Sequence, residues 1–168
     1  IHNDYFQQYV GYSIANLQFA SSYSDKKRIY NAHLNNNAVL YHHDIYMDFI
    51  NQFYKEHFKT MPPQFQDEII HAIKVEKSKK TLDEIMKRDK YLDNDTLREL
   101  VMLNSLMSNY RNPSYSRKGV LMIIDEIANT SLITERKTIS SNIYHKLSSV
   151  EVGSYAPEFE RSDLEGKK

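Results

Sequence analysis

The side chains best suited to chemistry in this chain are its histidines and its paired carboxylates, and their spacing limits what they can do. His42-His43-Asp44, with His33 and His57 on either side, has the composition of a metal site, since neutral imidazole suits zinc, copper and nickel. The spacing does not. Adjacent helical residues point about 100° apart, so one helix face cannot present both His42 and His43. Neither H-x-x-x-H nor H-E-x-x-H occurs. Asp125 and Glu126 diverge for the same reason and do not make a pair flanking a substrate; a solvated helix face is expected there. Ser105, Ser108 and Thr138 have no His or Lys at a local spacing that would activate a hydroxyl, which leaves only a partner distant in sequence. The four glycines are too far apart for a phosphate-cradling loop. The absence of cysteine excludes thiolate chemistry and disulfides within the chain. The residues thus point to no catalytic, cofactor-binding or metal-binding position.

Two further groups have both a structural and a functional use. Lys74, Lys77, Lys79 and Lys80 form a basic run, but Glu76 lies inside it and Asp83-Glu84 follows. Such mixing suits a solvated face better than an anion-binding patch. Of the 13 tyrosines and 7 phenylalanines, half lie in two helical stretches, residues 4–20 and 43–58. Aromatic side chains combine a large apolar area with, in tyrosine, a polar tip, and serve equally in cores and at partner surfaces. Both uses remain open for them here.

The elements that must position these groups are helical. Tyr5, Phe6, Tyr9, Val10, Tyr12, Ile14, Leu17 and Phe19 recur at helical spacing over residues 4–20. A short helix follows from Lys26 to about His33, with Ser24 or Asp25 as its cap, and Asn35-Asn36-Asn37 marks a turn. One long helix is expected from about His43 to Phe58, ended by Met61-Pro62-Pro63. Phe65–Lys74 carries a further stripe. Thr81 with Glu84 reads as a capping box, and Asp95 as the cap of a strong helix through Met107 that Asn112-Pro113 stops. Ser116–Asn129 and Thr134–Ser149 complete the set. The prediction is an all-α, irregular bundle of about seven helices over residues 1–148, with Phe49, Phe53, Leu100, Leu103, Ile123, Ile127 and Ile143 buried.

Composition agrees. With 22 basic and 22 acidic residues the formal charge is zero, against the basic excess of a nucleic-acid binder. Aromatic content of 12% argues against disorder. Few Gly and Pro argue against a turn-rich all-β fold. No apolar run approaches the ~20 residues of a membrane helix. The chain begins with Ile1, and a piece of a longer protein is expected.

After Ser149 the composition shifts to Gly153, Pro157 and Gly166 without helical period, so residues 149–168 are expected to be a linker and an extended segment of a second domain. Phe159, Arg161 and Asp163 would alternate with Glu160, Ser162 and Leu164 as on a strand, and Pro157 and Phe159 would anchor it. The stretch Val152-Gly153-Ser154-Tyr155-Ala156-Pro157-Glu158-Phe159-Glu160-Arg161-Ser162-Asp163-Leu164-Glu165-Gly166-Lys167 resembles the opening of a thioredoxin-like domain of the TlpA and peroxiredoxin type. Gly153, Ala156, Pro157, Phe159, Asp163, Leu164, Gly166 and Lys167 match that pattern. Glu158 stands where the family usually has Asp, and Arg161 where it usually has an apolar residue. The match covers 16 of 168 residues. More loosely, the helical part is similar to helical segments preceding thioredoxin-like domains in some Gram-negative envelope proteins.

The resemblance implies a C-x-x-C motif beyond residue 168 and a periplasmic or envelope location. It implies a helical docking or substrate-selecting module for a thiol–disulfide oxidoreductase, inactive by itself and without a cofactor of its own. Its partners would be the C-terminal thioredoxin-like domain of the same chain and a protein or peptide substrate, with no nucleic acid. The alternative is a helical protein-interaction domain on a redox-inactive thioredoxin-like scaffold.

Overall fold

The computed structural model of the chain describes residues 4–21, 25–35, 37–149 and 151. Among them there is no strand, and the fold is all-α. Eight helices have eight or more residues: α1 (Asp4–Ser21), α2 (Lys26–His33), α3 (Asp44–Phe53), α5 (Pro63–His71), α6 (Lys79–Met86), α7 (Asp95–Asn109), α8 (Arg117–Thr130) and α9 (Thr134–Ser148). The single turn α4 (His57–Thr60) and a π-helical turn (Ala72–Glu76) lie between them. The family-like segment, including Gly153, Ala156, Pro157, Phe159, Asp163, Leu164 and Gly166, lies outside the described residues, as do its expected extended form and anchors.

α7 is the axis of the bundle. Asn94 Oδ1 accepts from the Thr96 and Leu97 amides at 2.9 and 3.3 Å and starts it. The cap is thus Asn94 rather than Asp95, which becomes the first helical residue. Leu97, Leu100, Val101, Met102, Leu103 and Leu106 are all buried. A helix apolar over so much of its circumference needs neighbours on several sides, and α4, α6, α8 and α9 pack against it. α8 and α9 form a tight hairpin behind it, and α1 lies on α2 and α3 at the other side. Of the predicted core, Ile143 is only half-buried, while the other six are buried.

The expected His43–Phe58 helix is two helices. α3 stops at Phe53, and Glu56 adopts a left-handed backbone (φ 52°) before α4 begins. The turn is held by Tyr54, whose hydroxyl donates to Tyr91 O at 2.6 Å, and by Lys59 Nζ donating to Glu56 Oε1 at 2.7 Å. It directs His57 and Phe58 into the core. Two cap assignments also change. Ser78, not Thr81, caps α6, its Oγ accepting from the Thr81 amide at 3.2 Å. Thr81 Oγ1 instead donates to Glu76 Oε2 at 2.6 Å, and the Glu84 capping box does not form. Asp25 precedes α2 but accepts from Arg28 at 2.7 Å rather than from a helix amide.

Two polar contacts inside the bundle set its registers. Glu99 of α7 is buried, and it accepts from Lys79 Nζ at 2.7 Å, Arg136 Nη1 at 2.6 Å and Ser131 Oγ at 2.7 Å. Arg98 beside it bonds both Asp83 oxygens and donates to Leu92 O at 2.7 Å. A third register marker is a glycine. A Cβ on Gly119, in the first turn of α8, would sit 1.8 Å from Ile73 O in the π-helical turn. Backbone meets backbone there, and only hydrogen fits.

Two substitutions test this packing by denaturant unfolding. Leu103→Ala, at a fully buried position, is expected to cost about 2–5 kcal/mol. Gly119→Ala adds one methyl group where no space exists, and should cost about 1–3 kcal/mol or more, although alanine favours a helix interior. A neutral or stabilising Gly119→Ala would mean that α8 does not press on the π-helical turn.

Candidate functional site

Titratable and aromatic side chains meet around a recess of about 360 Å³ near the start of α2 and α4. Three distant stretches supply it. The left-handed turn at Glu56 aims His57 inward, leaving it 2% exposed. After α6, Asp89 Oδ1 accepts from the Tyr91 amide at 2.8 Å. That turn leaves Asp89 Oδ2 at 3.4 Å from His57 Nε2. From α2, Lys26 places its ammonium 4.9 Å from the Phe53 ring centroid and 5.2 Å from that of Tyr91. This is cation–π distance. Met61, Pro62 and Phe65 give the recess an apolar wall, and Arg88 and Lys90 line its rim.

Burial dominates the electrostatics. It pushes the His57 imidazole down to about 4; the Asp89 carboxylate opposes that shift and Lys26 adds to it. His57 is therefore neutral at pH 7, and its approach to Asp89 is not an ion pair. Neither of its ring nitrogens has a hydrogen-bond partner among the described residues. Burial also lowers the Lys26 pKa, with Asp89 opposing and Lys90 adding. The Arg88 guanidinium stacks on Phe65 at 4.3 Å and pairs with Glu68. Thr60, the nearest aliphatic hydroxyl in sequence, donates to His57 O at 3.0 Å. The recess thus combines flat aromatic walls, three cations, one carboxylate and a buried imidazole. That set suits gripping a peptide or a small anionic group better than bond-making, since pockets of this kind bind through apolar walls and a few placed polar groups.

The histidines singled out by sequence separate. His42 is exposed, and His43 is buried under Tyr5, their rings stacked at 4.3 Å. His33 packs against Phe49, and burial lowers its pKa. No group of three His, Asp or Glu among the described residues is arranged to hold a metal ion. Asp125 is exposed, whereas Glu126 Oε2 accepts from the Lys79 amide at 3.1 Å, so that pair divides between solvent and structure. The lysine run divides too, Lys74 and Lys80 being exposed while Lys79 pairs with buried Glu99. The tyrosines divide: Tyr12, Tyr46 and Tyr54 pack inward, and Tyr5 and Tyr9 are exposed.

No family model, curated protein or solved structure matches the chain. The recess is therefore read from its own chemistry. Sequence inspection missed it because Lys26, His57 and Asp89 share no local motif. The one available signal was a histidine beside Phe58 in an aromatic stretch.

His57 makes a pH prediction. Its folded value lies below the unfolded value of 6.5, so the unfolded chain binds more protons between pH 6.5 and 4. Stability is complete above that window and falls as pH drops through it. Between pH 7 and 5 the His57 share of the loss should be about 2 kcal/mol. His57→Phe should remove that share, read as a shallower dependence of unfolding free energy on pH. Parallel curves for the two proteins would show that His57 is not held neutral.

Proposed function

We propose that the helical domain is the docking or substrate-selecting module of an envelope thiol–disulfide oxidoreductase, and that the Lys26–His57–Asp89 recess holds a segment of the protein substrate. The observation that carries this reading is the pattern from Val152 to Lys167, with Ala156, Pro157, Phe159, Asp163, Leu164 and Gly166 at the spacing of a thioredoxin-like opening. The residue just before the family-like segment is fixed on the bundle. Glu151, two residues before Gly153, accepts from the Tyr110 hydroxyl at 2.5 Å and lies 3.5 Å from Arg117 Nη1. Glu151 is therefore tied to the C-terminal end of α7 and the start of α8.

In this reading the chemistry belongs to a C-x-x-C beyond residue 168. One thiolate attacks the substrate disulfide, forms a mixed disulfide and expels a substrate thiolate. The second thiolate then releases the reduced substrate and leaves the motif oxidised. The bundle contributes affinity and orientation, and no residue of it exchanges electrons.

The test uses the chain extended through its downstream domain. The 168-residue chain alone should not reduce insulin above background, since it has no thiolate, and the extended chain should. Lys26→Gln in the extended chain should raise KM for a protein disulfide several-fold and leave reduction of a small disulfide unchanged. Equal effects on both substrates would remove the recess from substrate selection. Absence of a downstream C-x-x-C would leave a docking domain on a redox-inactive scaffold.

A further inference from the structure

α1 is apolar on two sides. Residues 5–24 contain no Asp, Glu, Lys or Arg, in a chain that is 26% charged. Tyr12, Ala15 and Phe19 face the bundle, and α1 packs on α2 and α3. On the opposite side Phe6, Tyr9, Val10, Ile14 and Leu17 are 60, 43, 40, 48 and 71% exposed. Scattered exposed apolar side chains are ordinary, but a continuous row of them on one helix face marks an interaction surface.

We propose that this face pairs with the same face of a second copy of the chain, the two α1 helices running antiparallel about a two-fold axis level with the midpoint between Gly11 and Tyr12. The argument is symmetry. A two-fold interface must be self-complementary, and the residues of this face are placed in pairs equidistant from that midpoint: Phe6 with Leu17, Tyr9 with Ile14, and Val10 with the half-buried Ser13. In the antiparallel pair Phe6 lies level with the partner's Leu17 and Val10 with the partner's Ser13. Tyr9 and Ile14 each face their own counterpart on opposite flanks of the seam. Phe6, Val10, Ser13 and Leu17 are spaced four, three and four apart, the rhythm of a helix–helix seam. Ser13 is small and lies next to the axis, where the backbones come nearest.

Area and charge agree. At about 200 Å² for a large apolar side chain, the exposed fractions along this face amount to roughly 500–600 Å² per copy. Two copies thus bury about 1,000–1,200 Å², the lower bound for a specific interface. The lack of charge within residues 5–24 leaves no like-charge contact along the seam, and antiparallel helix dipoles attract. A membrane surface fits less well. Helices that lie on membranes carry Lys and Arg on the polar face, and α1 has none.

The cysteine-free background makes the test direct. In sedimentation equilibrium the 168-residue chain should dimerise below about 100 µM, and Leu17→Glu should weaken the dimer at least tenfold without changing the helical circular dichroism signal. Ser13→Cys should form a disulfide-linked dimer under copper-phenanthroline oxidation, whereas Gln7→Cys, on the flank of α1, should not. A monomer throughout that range would overturn the proposal. So would a dimer indifferent to Leu17→Glu, or equal cross-linking at both positions.

Discussion

The Glu99 carboxylate is the constraint on which the rest of the bundle depends. It is buried on the central helix, where an uncompensated charge would cost several kcal/mol. Its three donors come from three separate places: Lys79 from α6, Ser131 from the α8–α9 connection and Arg136 from α9. Each element can slide or rotate on α7 only by withdrawing a donor. Such a cluster adds little net stability over an apolar core of the same shape. Its effect is to make every other register worse. Arg98 repeats the device one residue away, joining Asp83 of α6 to the Leu92 carbonyl. Apolar contacts supply the driving force, and Glu99 and Arg98 select among the arrangements that would satisfy it.

How much of this could be read from the sequence depends on how local each signal is. α2, α8 and α9 were legible to within a residue or two because apolar spacing and bounding polar residues agree. Ser116 at the start of α8 caps as its position implies, accepting from the Gly119 amide at 3.2 Å. The errors lie where two local signals compete. Asn94-Asp95 offers two adjacent caps, and Ser78 and Thr81 both carry hydroxyls; the winners are those whose amide targets remain available. The break between α3 and α4 had no local signal at all. Glu56 is a good helix former, and its left-handed backbone is imposed by Tyr54 reaching Tyr91, a contact across 37 residues. The recess was illegible for the same reason, since Lys26, His57 and Asp89 meet only after that break has formed.

α1 shows why the aromatic residues resisted a single reading. Helical periodicity identifies a helix but cannot identify which face is inward when both faces are apolar. The structure assigns Tyr12, Ala15 and Phe19 to the bundle and Phe6, Val10, Ile14 and Leu17 to solvent. Tyr5 lies between, stacked on His43 yet half open to water. The distinction comes from α3, whose Phe49 and Phe53 meet Tyr12 and Phe19 on the inward side of α1.

Those same rings join the two surfaces of the molecule. Phe19 of α1 lies 5.0 Å from Phe53, ring centre to ring centre. Phe53 in turn lies beneath the Lys26 ammonium and 6.2 Å from Tyr91. From the helix that carries the exposed apolar row to the recess is therefore a chain of two aromatic contacts through a close-packed interior. Close-packed interiors respond to displacement by shifting neighbours rather than by compressing. The charge that α1 lacks is concentrated at the far end of this path, and the aromatic cluster that makes α1 fit the bundle is also what shields Lys26 from water.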